Sequence, residues 1–348
     1  MTYTLHVPDT KAAALAKKRL DSLAMPRHSL GQFEQFLIKI AAIQGTPDIS
    51  LTPRSVLIFC GDHGVVEENV TQCSSDVTHT VALSIAQGES TINVMARAAH
   101  ADVHVIDMGM THPAPPPVID RRQNSGTKNF TKAPAMTRAE AEAAIECGID
   151  LVLERAKTDR ILSIGEMGIG NTTSASALTA VLLGKPVREV TGYGSGLSED
   201  GLKRKIEVIQ KAIQLHHPDP GDPIGVLAAL GGFEIAGMVG ACIGAAVACI
   251  PVIIDGMIAS AAALTALRIE PDIRPFLLPS HMSAAPAAPA IMDAMGFSPI
   301  IHAGMHLGEG TGAVLLFPLL DMVKCVYDSS HTFDSLHMDP YPFFGGNT

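Results

Sequence analysis

The stretch SVLIFCGD, residues 55–62, decides the fold class, because an uninterrupted apolar run ends there in a glycine and an aspartate. Short apolar runs that close on turn residues are typical of buried parallel strands. The same pattern recurs in VHVIDMG (103–109), RILSIGE (160–166) and PVIIDG (251–256). Helical patterns separate these runs, so the sequence predicts an α/β fold with a mostly parallel sheet and helices on both faces. Ligands of such sheets bind beyond the carboxyl ends of the strands, where these runs place their polar residues.

The segments between the predicted strands carry helix start signals. Thr137 and Glu140 form a capping box, and Ser198 precedes a helix with an apolar stripe of Leu202, Ile206, Ile209 and Ile213. The two ends of the chain lack the alternation of strands and helices. We therefore predict a large Rossmann-like domain over residues 31–315 and a small helical domain made of 1–30 with 316–348.

The composition excludes several functional classes. Of 348 residues, 47% are hydrophobic and 17% are charged, which is typical of a large packed domain and not of a disordered chain. A net charge of −10 provides no basic surface, so no nucleic-acid partner is predicted. The six cysteines form no C-x-x-C pair, and the N-terminus lacks the pattern of a signal peptide. Reduced thiols and a cytoplasmic location are predicted.

The segment IAGMVGACIGAAVACIPVII, residues 235–254, is a candidate membrane span because it contains no charge and includes a G-x-x-x-G pair, Gly240 and Gly244. Its content of alanine and glycine and the break at Pro251 favour another interpretation. A small-residue helix packed closely on the sheet, followed by a buried strand, explains the same residues. No membrane association is predicted.

Two glycine-rich turns could bind a phosphate. GEMGIGNTTSAS, residues 165–176, follows a predicted strand and opens a helix, whose free N–H groups and positive dipole end attract anions. TGYGSGL, residues 191–197, has Lys205 downstream, although a lone helical lysine is more often solvated. Neither turn matches the Walker A or the dinucleotide-binding pattern.

Two segments could imitate metal sites. GDHGVVEENV, residues 61–70, gathers acids and a histidine behind a strand, but their spacing matches no common ligand set, which favours proximity to a substrate. His302, His306 and Glu309 have the composition of a two-histidine, one-carboxylate site, but the glycines between and after them interrupt the required helix. Glu309 instead lies on a glycine loop ahead of a helix that begins near Thr311. A carboxylate there can accept a proton from a substrate, or can simply stabilise the helix start.

The order of the motifs favours the catalytic interpretation of Glu309. GDHGV, GTKNF, PAMTRAEA, GEMGIGNTT, GGFEIAGMVGACIGAA, PVIIDG, SHMSA and LGEGTGAVL follow one another along the chain. From about residue 30 to 325, this series resembles the nicotinate-nucleotide–dimethylbenzimidazole phosphoribosyltransferases of cobamide synthesis. The resemblance implies transfer of a phosphoribosyl group from nicotinate mononucleotide to an aromatic base, with inversion at C1′. It also implies a homodimer or a heterodimer with a related subunit, and no metal or organic cofactor.

The resemblance also implies roles for individual residues. Glu309 matches the catalytic base, and Glu166 matches a second acid of the site. Residues that match nucleotide or phosphate binders are Gly168, Gly170, Asn171, Thr172, Thr173, Lys205, Ser280, Ser283 and Gly308. Ser75 and Leu83 match the base pocket.

Two departures from the family pattern leave the acceptor open. Leu83 stands where glutamine is common, and Ala285 stands where glutamate is usual, so phenol or p-cresol is an alternative to a benzimidazole. Two further functions stay open: a non-catalytic subunit of a heteromeric transferase, and a dinucleotide-dependent oxidoreductase. The Pro-rich connection 111–136 is predicted to lie on the surface or to act as a lid.

Overall fold

The centre of the molecule is a six-stranded sheet in which every neighbouring pair of strands is parallel. It is seen in a computed structural model that describes residues 3–341. The order of the strands is β3-β2-β1-β4-β5-β6. The strands are β1 (Arg54–Gly61), β2 (Asp102–Gly109), β3 (Ile119–Asp120), β4 (Ile161–Met167), β5 (Val252–Ile254) and β6 (Leu277–Pro279). The predicted fold class is confirmed.

Helices cover both faces of the sheet, and the predicted start signals are present. Thr137 and Glu140 form their capping box, and Ser198 accepts a hydrogen bond from the N–H of Gly201. The helices are α1 (Thr10–Ser22), α2 (Gln32–Gln44), α3 (Asp76–Ala86), α4 (Thr91–Ala98), α5 (Arg138–Arg155), α6 (Asn171–Leu183), α7 (Val187–Val190), α8 (Glu199–His216), α9 (Pro223–Leu230), α10 (Phe233–Ala248), α11 (Met257–Ile269), α12 (Ala288–Met295) and α13 (Thr311–Ser329). Short 3₁₀ helices span Gly64–Glu68, Pro271–Phe276 and Asp334–Leu336.

Alternate residues of β1 enter two different cores, as the two-residue period of a strand requires. Leu57 and Phe59 pack with residues of α5, α6, α10 and α11. Val56 and Ile58 pack on the opposite face with residues of α1, α2, α4 and α13. Helices from both ends of the chain therefore share a core with the sheet. The division into two domains stays a prediction, and its residues 1–2 and 342–348 lie outside the described part of the chain.

A buried arginine fixes α13 to the amino end of β1. Arg54 donates from Nη1 and Nη2 to the two carboxylate oxygens of Asp321, at 2.8 and 2.7 Å, and from Nε to the carbonyl of Ala99 at 2.9 Å. Its guanidinium also lies 4.8 Å from the ring centre of Phe317. Planar bidentate pairing of this kind constrains orientation as well as distance, so α13 is held in a defined position along β1.

The helices α5 and α10 approach each other closely through glycines. A Cβ atom added to Gly240 would overlap the carbonyl of Ile145, and one added to Gly148 would overlap the carbonyl of Gly237. The small residues of 235–254 therefore serve helix packing, as the sequence interpretation favoured. Within residues 3–341, no helix is long and apolar enough to cross a membrane.

The sequence did not reveal β3 and β6, which have only two and three residues. β3 lies inside the Pro-rich connection 111–136 and pairs with β2. Further along this connection Phe130 and Met136 are buried in the core. The connection is therefore not purely a surface segment, because its second half contributes to the packing of the domain.

Candidate active site

The candidate site lies where the strand order reverses. β2 flanks β1 on one side and β4 flanks it on the other, so the segments that leave β1 and β4 diverge and form a crevice beyond their carboxyl ends. Four of the six strands end at or just before a buried polar residue on this side: His63 after β1, Glu166 in β4, Asp255 after β5 and Ser280 after β6. Buried polar side chains concentrated at one edge of a sheet mark this edge as the functional one.

Glu166 lies at the carboxyl end of β4, beneath the loop that carries Glu309. Its Oε2 accepts a hydrogen bond from the side-chain amide of Asn171, the first residue of α6. A Cβ atom on Gly308 would lie 2.5 Å from the Oε1 of Glu166, so the loop passes directly over this carboxyl group. The two predicted acids therefore belong to the same site.

The environment of Glu166 favours its neutral form. Burial raises the pKa of Glu166 to about 8, and the negative charges of Asp255, Glu234 and Glu309 act in the same direction. The hydrogen bond from Asn171 opposes this shift but does not cancel it. Glu166 is therefore protonated at neutral pH and can donate a hydrogen bond from its carboxyl group.

Glu309 occupies an unusual backbone conformation. Gly308, Glu309 and Gly310 have φ angles of +87°, +57° and +77°, so three successive residues are left-handed. A Cβ atom on Gly165 would lie 2.6 Å from the Cα of Gly310, which shows how closely this turn approaches β4. Helix α13 begins at Thr311, as predicted. Non-glycine residues adopt positive φ rarely, and such strain concentrates at functional sites.

Asp255 holds this turn in place, and the sequence analysis assigned it no role. Its Oδ2 accepts the N–H of Gly310 at 3.1 Å, and its Oδ1 accepts the N–H of Ala313 at 3.0 Å. Asp255 thus caps α13, whose own N-cap residue is a glycine and supplies no side-chain cap. Burial raises the pKa of Glu309, and the charge of Asp255 raises it further. One aspartate therefore fixes the position of Glu309 and increases its basicity.

Lys205 is a buried cation that has a hydroxyl as its partner. Its side chain extends from α8 to the first turn of α6, where Nζ donates to the Oγ1 of Thr172 at 2.7 Å. A Cβ atom on Gly194 would lie 3.3 Å from this Nζ, so the TGYGSGL loop covers the same place. Burial lowers the pKa of Lys205 to about 8. A buried ammonium group beside a helix N-terminus is arranged to receive an anion.

Lys205 adds a residue to the buried side of α8 that the predicted apolar stripe did not include. The buried residues of this helix are Gly201, Lys205, Val208, Ile209 and Ala212, whereas Leu202, Ile206 and Ile213 are only half-buried. Ile206 and Ile213 nevertheless pack against the same core as the buried Ile209, so the predicted stripe faces the core and Lys205 lies beside it.

The remaining predicted nucleotide binders lie around the same crevice. A Cβ atom on Gly168 would lie 2.5 Å from the carbonyl of Gly61, and Gly170 has a φ of +98°, so both glycines are required by the backbone. Thr173 is buried, and its Oγ1 has no hydrogen-bond partner in the described structure. Ser280 donates to the carbonyl of Ile254 at 2.6 Å. A Cβ atom on Gly256, just after Asp255, would lie 3.8 Å from the Oγ of Ser283.

Helix α3 forms a wall beside the GEMGIG turn. Ser75 precedes its first turn and Leu83 lies on its third, and both are half-buried. Between them, Thr78 is buried and accepts a hydrogen bond from the N–H of Ile169 at 3.1 Å. This contact joins α3 to the turn between Glu166 and α6. Thr78 is a second residue that the sequence analysis did not single out.

The two candidate metal segments take other arrangements. His302 approaches the carbonyl of Pro299 and His306 that of Gly304, and residues 302–309 form no helix. In the 61–70 segment, Glu67 pairs with Lys132 at 2.6 Å, and its neighbours also bond to protein groups. No group of three or more histidines, cysteines and acids in residues 3–341 is arranged to hold a metal ion.

Comparison with known proteins identifies a family. A family model described as phosphoribosyltransferase, DBI_PRT, matches residues 5–337. The nicotinate-nucleotide–dimethylbenzimidazole phosphoribosyltransferase of Acetivibrio thermocellus is 43% identical over 329 residues, which are 94% of this chain and 94% of that protein. The protein of the same name from Ruminiclostridium cellulolyticum is also 43% identical, over 94% of this chain and 93% of its own length.

Solved structures are similar over the same extent. The crystal structure of CobT from Thermus thermophilus superimposes with a TM-score of 0.89 at 36% identity, and the match covers 94% of this chain and 99% of that one. The parallel sheet and the helices around it therefore belong to a fold that this chain shares with that structure.

Proposed function

The chain belongs to the nicotinate-nucleotide–dimethylbenzimidazole phosphoribosyltransferase family, and from this premise we propose how its crevice performs the transfer. The chain is a phosphoribosyltransferase of cobamide synthesis, and its substrates are nicotinate mononucleotide and a benzimidazole base. The roles are assigned mainly from two neighbouring carboxyl groups whose surroundings favour different protonation states. Glu309 is presented on a strained turn above Glu166, which is neutral at physiological pH.

Nicotinate mononucleotide binds with its phosphate at Lys205 and the N-terminus of α6. Lys205 is buried and hydrogen-bonded to a neutral hydroxyl, so a phosphate dianion would supply the negative charge that residues 3–341 do not place beside it. In the first turn of α6 the N–H groups of Asn171 and Thr173 already donate to the carbonyls of Gly168 and Gly170, so the N–H of Thr172 and the positive end of the helix dipole remain to meet the phosphate. Ser280, Ser283 and the glycines of the β4–α6 turn surround the ribose.

Glu309 is the general base. One ring nitrogen of the acceptor attacks C1′ with its lone pair, while the proton on the other ring nitrogen passes to the carboxylate of Glu309, so the ribosylated ring is left neutral. The bond from C1′ to the pyridine nitrogen breaks, and its electron pair neutralises the pyridinium, so nicotinate leaves. Attack from the face opposite nicotinate gives inversion and hence an α-ribosyl 5′-phosphate. The raised pKa of Glu309 supports this role, because a base is most effective when its pKa approaches the working pH.

Glu166 assists by remaining neutral. An ionised Glu166 would repel the charge of Glu309 at close range, whereas the protonated carboxyl group offers an O–H donor to the substrate. One carboxyl group can act as a donor and the other as a base because their surroundings differ. Glu166 is enclosed at the end of a buried strand, while Glu309 is half-buried on a loop.

The acceptor lies against α3, with Ser75 and Leu83 in its pocket. An apolar Leu83 removes a hydrogen-bonding partner for a second ring nitrogen and adds contact to an aromatic ring. We therefore infer tolerance of phenols, including p-cresol, in addition to benzimidazoles. A homodimer, or a heterodimer with a related subunit, is part of the same proposal.

The oxidoreductase alternative has one feature in its favour, the strand order, which is also that of dinucleotide-binding domains. The turn after β1 reads Gly61-Asp62-His63-Gly64, however, and not G-x-G-x-x-G. Since a fold does not determine a function, the buried acids and Lys205 favour the transferase.

The test is turnover by the purified chain alone with nicotinate mononucleotide and 5,6-dimethylbenzimidazole, followed by chromatography of nicotinate and the α-ribosyl product. We expect Glu309→Gln to lower kcat by about 10²- to 10⁴-fold, because an amide keeps the shape of the carboxylate but accepts no proton. Its dissociation constant for nicotinate mononucleotide is expected to stay within about twofold of wild type. Near-normal turnover by this variant would remove Glu309 from the mechanism. Turnover that appears only when a related subunit is added would identify the chain as part of a heteromeric enzyme.

A further inference from the structure

A fully buried chain of hydrogen bonds lies behind the crevice and has no role in the mechanism above. The Nδ1 of His63 is 2.9 Å from the Oγ of Ser174, and its Nε2 is 2.6 Å from the Oε1 of Glu234. Ser174 and Glu234 are 0% exposed and His63 is 2% exposed. The three residues come from α6, from the segment after β1 and from the first turn of α10, so the chain of bonds joins three separate elements.

The arrangement resembles the serine–histidine–acid sets of hydrolases in composition, but it cannot act as one. A nucleophile must reach its substrate, and the hydroxyl of Ser174 has no exposed surface. The imidazole also contacts the serine through Nδ1 and the acid through Nε2, the reverse of the usual order in such sets. A structural contribution to the neighbouring site is the function that remains for this buried network.

The backbone of the GEMGIG turn packs directly against the side chains of His63 and Glu234. A Cβ atom on Gly170 would lie 3.1 Å from the Cβ of His63, and one on Gly168 would lie 3.3 Å from the Oε1 of Glu234. Glycines of other segments touch the pair from the remaining sides, with a Cβ on Gly61 meeting the Oε2 of Glu234 at 2.8 Å. The pair therefore fills the space directly beneath the turn.

The first turn of α6 is held at three points within four residues. Asn171 bonds to Glu166, Thr172 accepts from Lys205, and Ser174 bonds to His63. The first two contacts lead into the site and involve groups that meet the substrate. The third leads away from the site and into the buried pair, so it is available to fix the turn without touching the substrate.

We propose that Ser174, His63 and Glu234 are positioning residues that hold the GEMGIG turn and the first turn of α6 in the geometry that binds nicotinate mononucleotide. This inference rests on the proposed function, because it takes that turn to be the nucleotide site. With its proton on Nε2, the imidazole donates to Glu234 and its Nδ1 accepts a hydrogen bond from the hydroxyl of Ser174; a doubly protonated ring would donate to both partners. In either state the loss of Ser174 leaves a buried polar atom of His63 without a partner.

The α6 helix provides its own matched control. Ser176 lies two residues beyond Ser174 on the same helix, is 1% exposed, and its hydroxyl has no hydrogen-bond partner in the described structure. Ser174→Ala and Ser176→Ala therefore remove the same atom from the same helix at equal burial. Only the first substitution breaks the chain to His63.

The experiment measures KM for each substrate and the dissociation constant of nicotinate mononucleotide by calorimetry. For Ser174→Ala we expect both nucleotide constants to rise about 5- to 100-fold, with the KM for 5,6-dimethylbenzimidazole unchanged. Ser176→Ala should have the wild-type KM for both substrates and the wild-type dissociation constant for nicotinate mononucleotide. Glu234→Gln keeps an acceptor for His63 and should show a smaller rise in the nucleotide constants than Glu234→Ala.

The outcomes separate this inference from the proposed function. Absence of turnover by the wild-type protein, both alone and with a related subunit, would reject the function itself. Normal wild-type turnover with equal nucleotide constants in Ser174→Ala and Ser176→Ala would overturn the positioning role. A lower melting temperature and a smaller active fraction, with unchanged nucleotide constants, would also overturn it, because that result describes stability alone.

Discussion

Protonation of Glu166 should make the stability of this protein fall as pH rises through neutrality. The pKa of Glu166 is raised from 4.5 to about 8 in the folded protein, so the folded state holds this proton more tightly than the unfolded state does. The associated stabilisation is fully present below the unfolded pKa of 4.5 and is lost as pH rises toward 8. Replacing Glu166 by glutamine removes the titration but keeps an acceptor for the amide of Asn171.

The size of the effect follows from the shift. Each pH unit inside the window between the two pKa values costs about 1.4 kcal/mol, so the step from about pH 5 to about 7.5 costs about 3 kcal/mol. This range lies below the pKa of Lys205, which burial lowers to about 8 and whose contribution has the opposite sign. The carboxyl groups of Asp107 and Glu309 also have raised pKa values, but both proteins contain them and their contributions cancel in the comparison.

The assay is urea denaturation of wild type, Glu166→Gln and a control at several values across this pH range. We expect the free energy of unfolding of wild type to fall by about 3 kcal/mol relative to Glu166→Gln. Glu67→Gln is the control, because Glu67 is exposed and its hydrogen bond to Lys132 lowers its pKa, which moves its titration away from this range and not into it. Parallel profiles for wild type and Glu166→Gln would refute the assignment of a neutral Glu166.

Three further predictions concern the ligands. Lys205→Met should raise the KM for nicotinate mononucleotide about 10- to 100-fold in steady-state kinetics, whereas Lys132→Met, at an exposed lysine, should leave this KM unchanged. Equal KM values in the two variants would contradict the phosphate site. Leu83→Gln should shift preference from phenol and p-cresol toward 5,6-dimethylbenzimidazole in competition assays, and strict use of benzimidazole by both proteins would reject the pocket assignment. Chelator treatment should leave turnover unchanged. A loss of turnover that one divalent metal restores would instead support a metal site at His302, His306 and Glu309.

The longer strands and helices could be predicted from the sequence, and the shortest strands could not. Four apolar runs identified β1, β2, β4 and β5, and capping signals marked the starts of α5 and α8. β3 and β6 were not predicted, because strands of two or three residues are too short to show a periodic pattern. Lys205 was not predicted on the inward side of α8 for another reason, since a lysine is assigned to solvent by default and here it is buried.

The site was predictable where its residues lie within one motif. Glu166 and Asn171 belong to one turn, and Glu309 is marked by its two glycines. Asp255 could be recognised as a strand end, but its partners lie 55 and 58 residues further along the chain. The buried pair of His63 and Glu234 spans 171 residues, and no local pattern can indicate such a distance.

The attachment of α13 at both ends of the sheet restricts how this gene can change in length. Asp255 holds the start of the helix near Gly310, and Arg54 holds Asp321 at the opposite edge. An inserted residue between these two points would rotate one end against the other by about 100° and displace it by about 1.5 Å. Glu309 or the buried arginine would then lose its partner. We therefore expect homologous chains to vary in sequence on the outer face of this segment while keeping its number of residues constant.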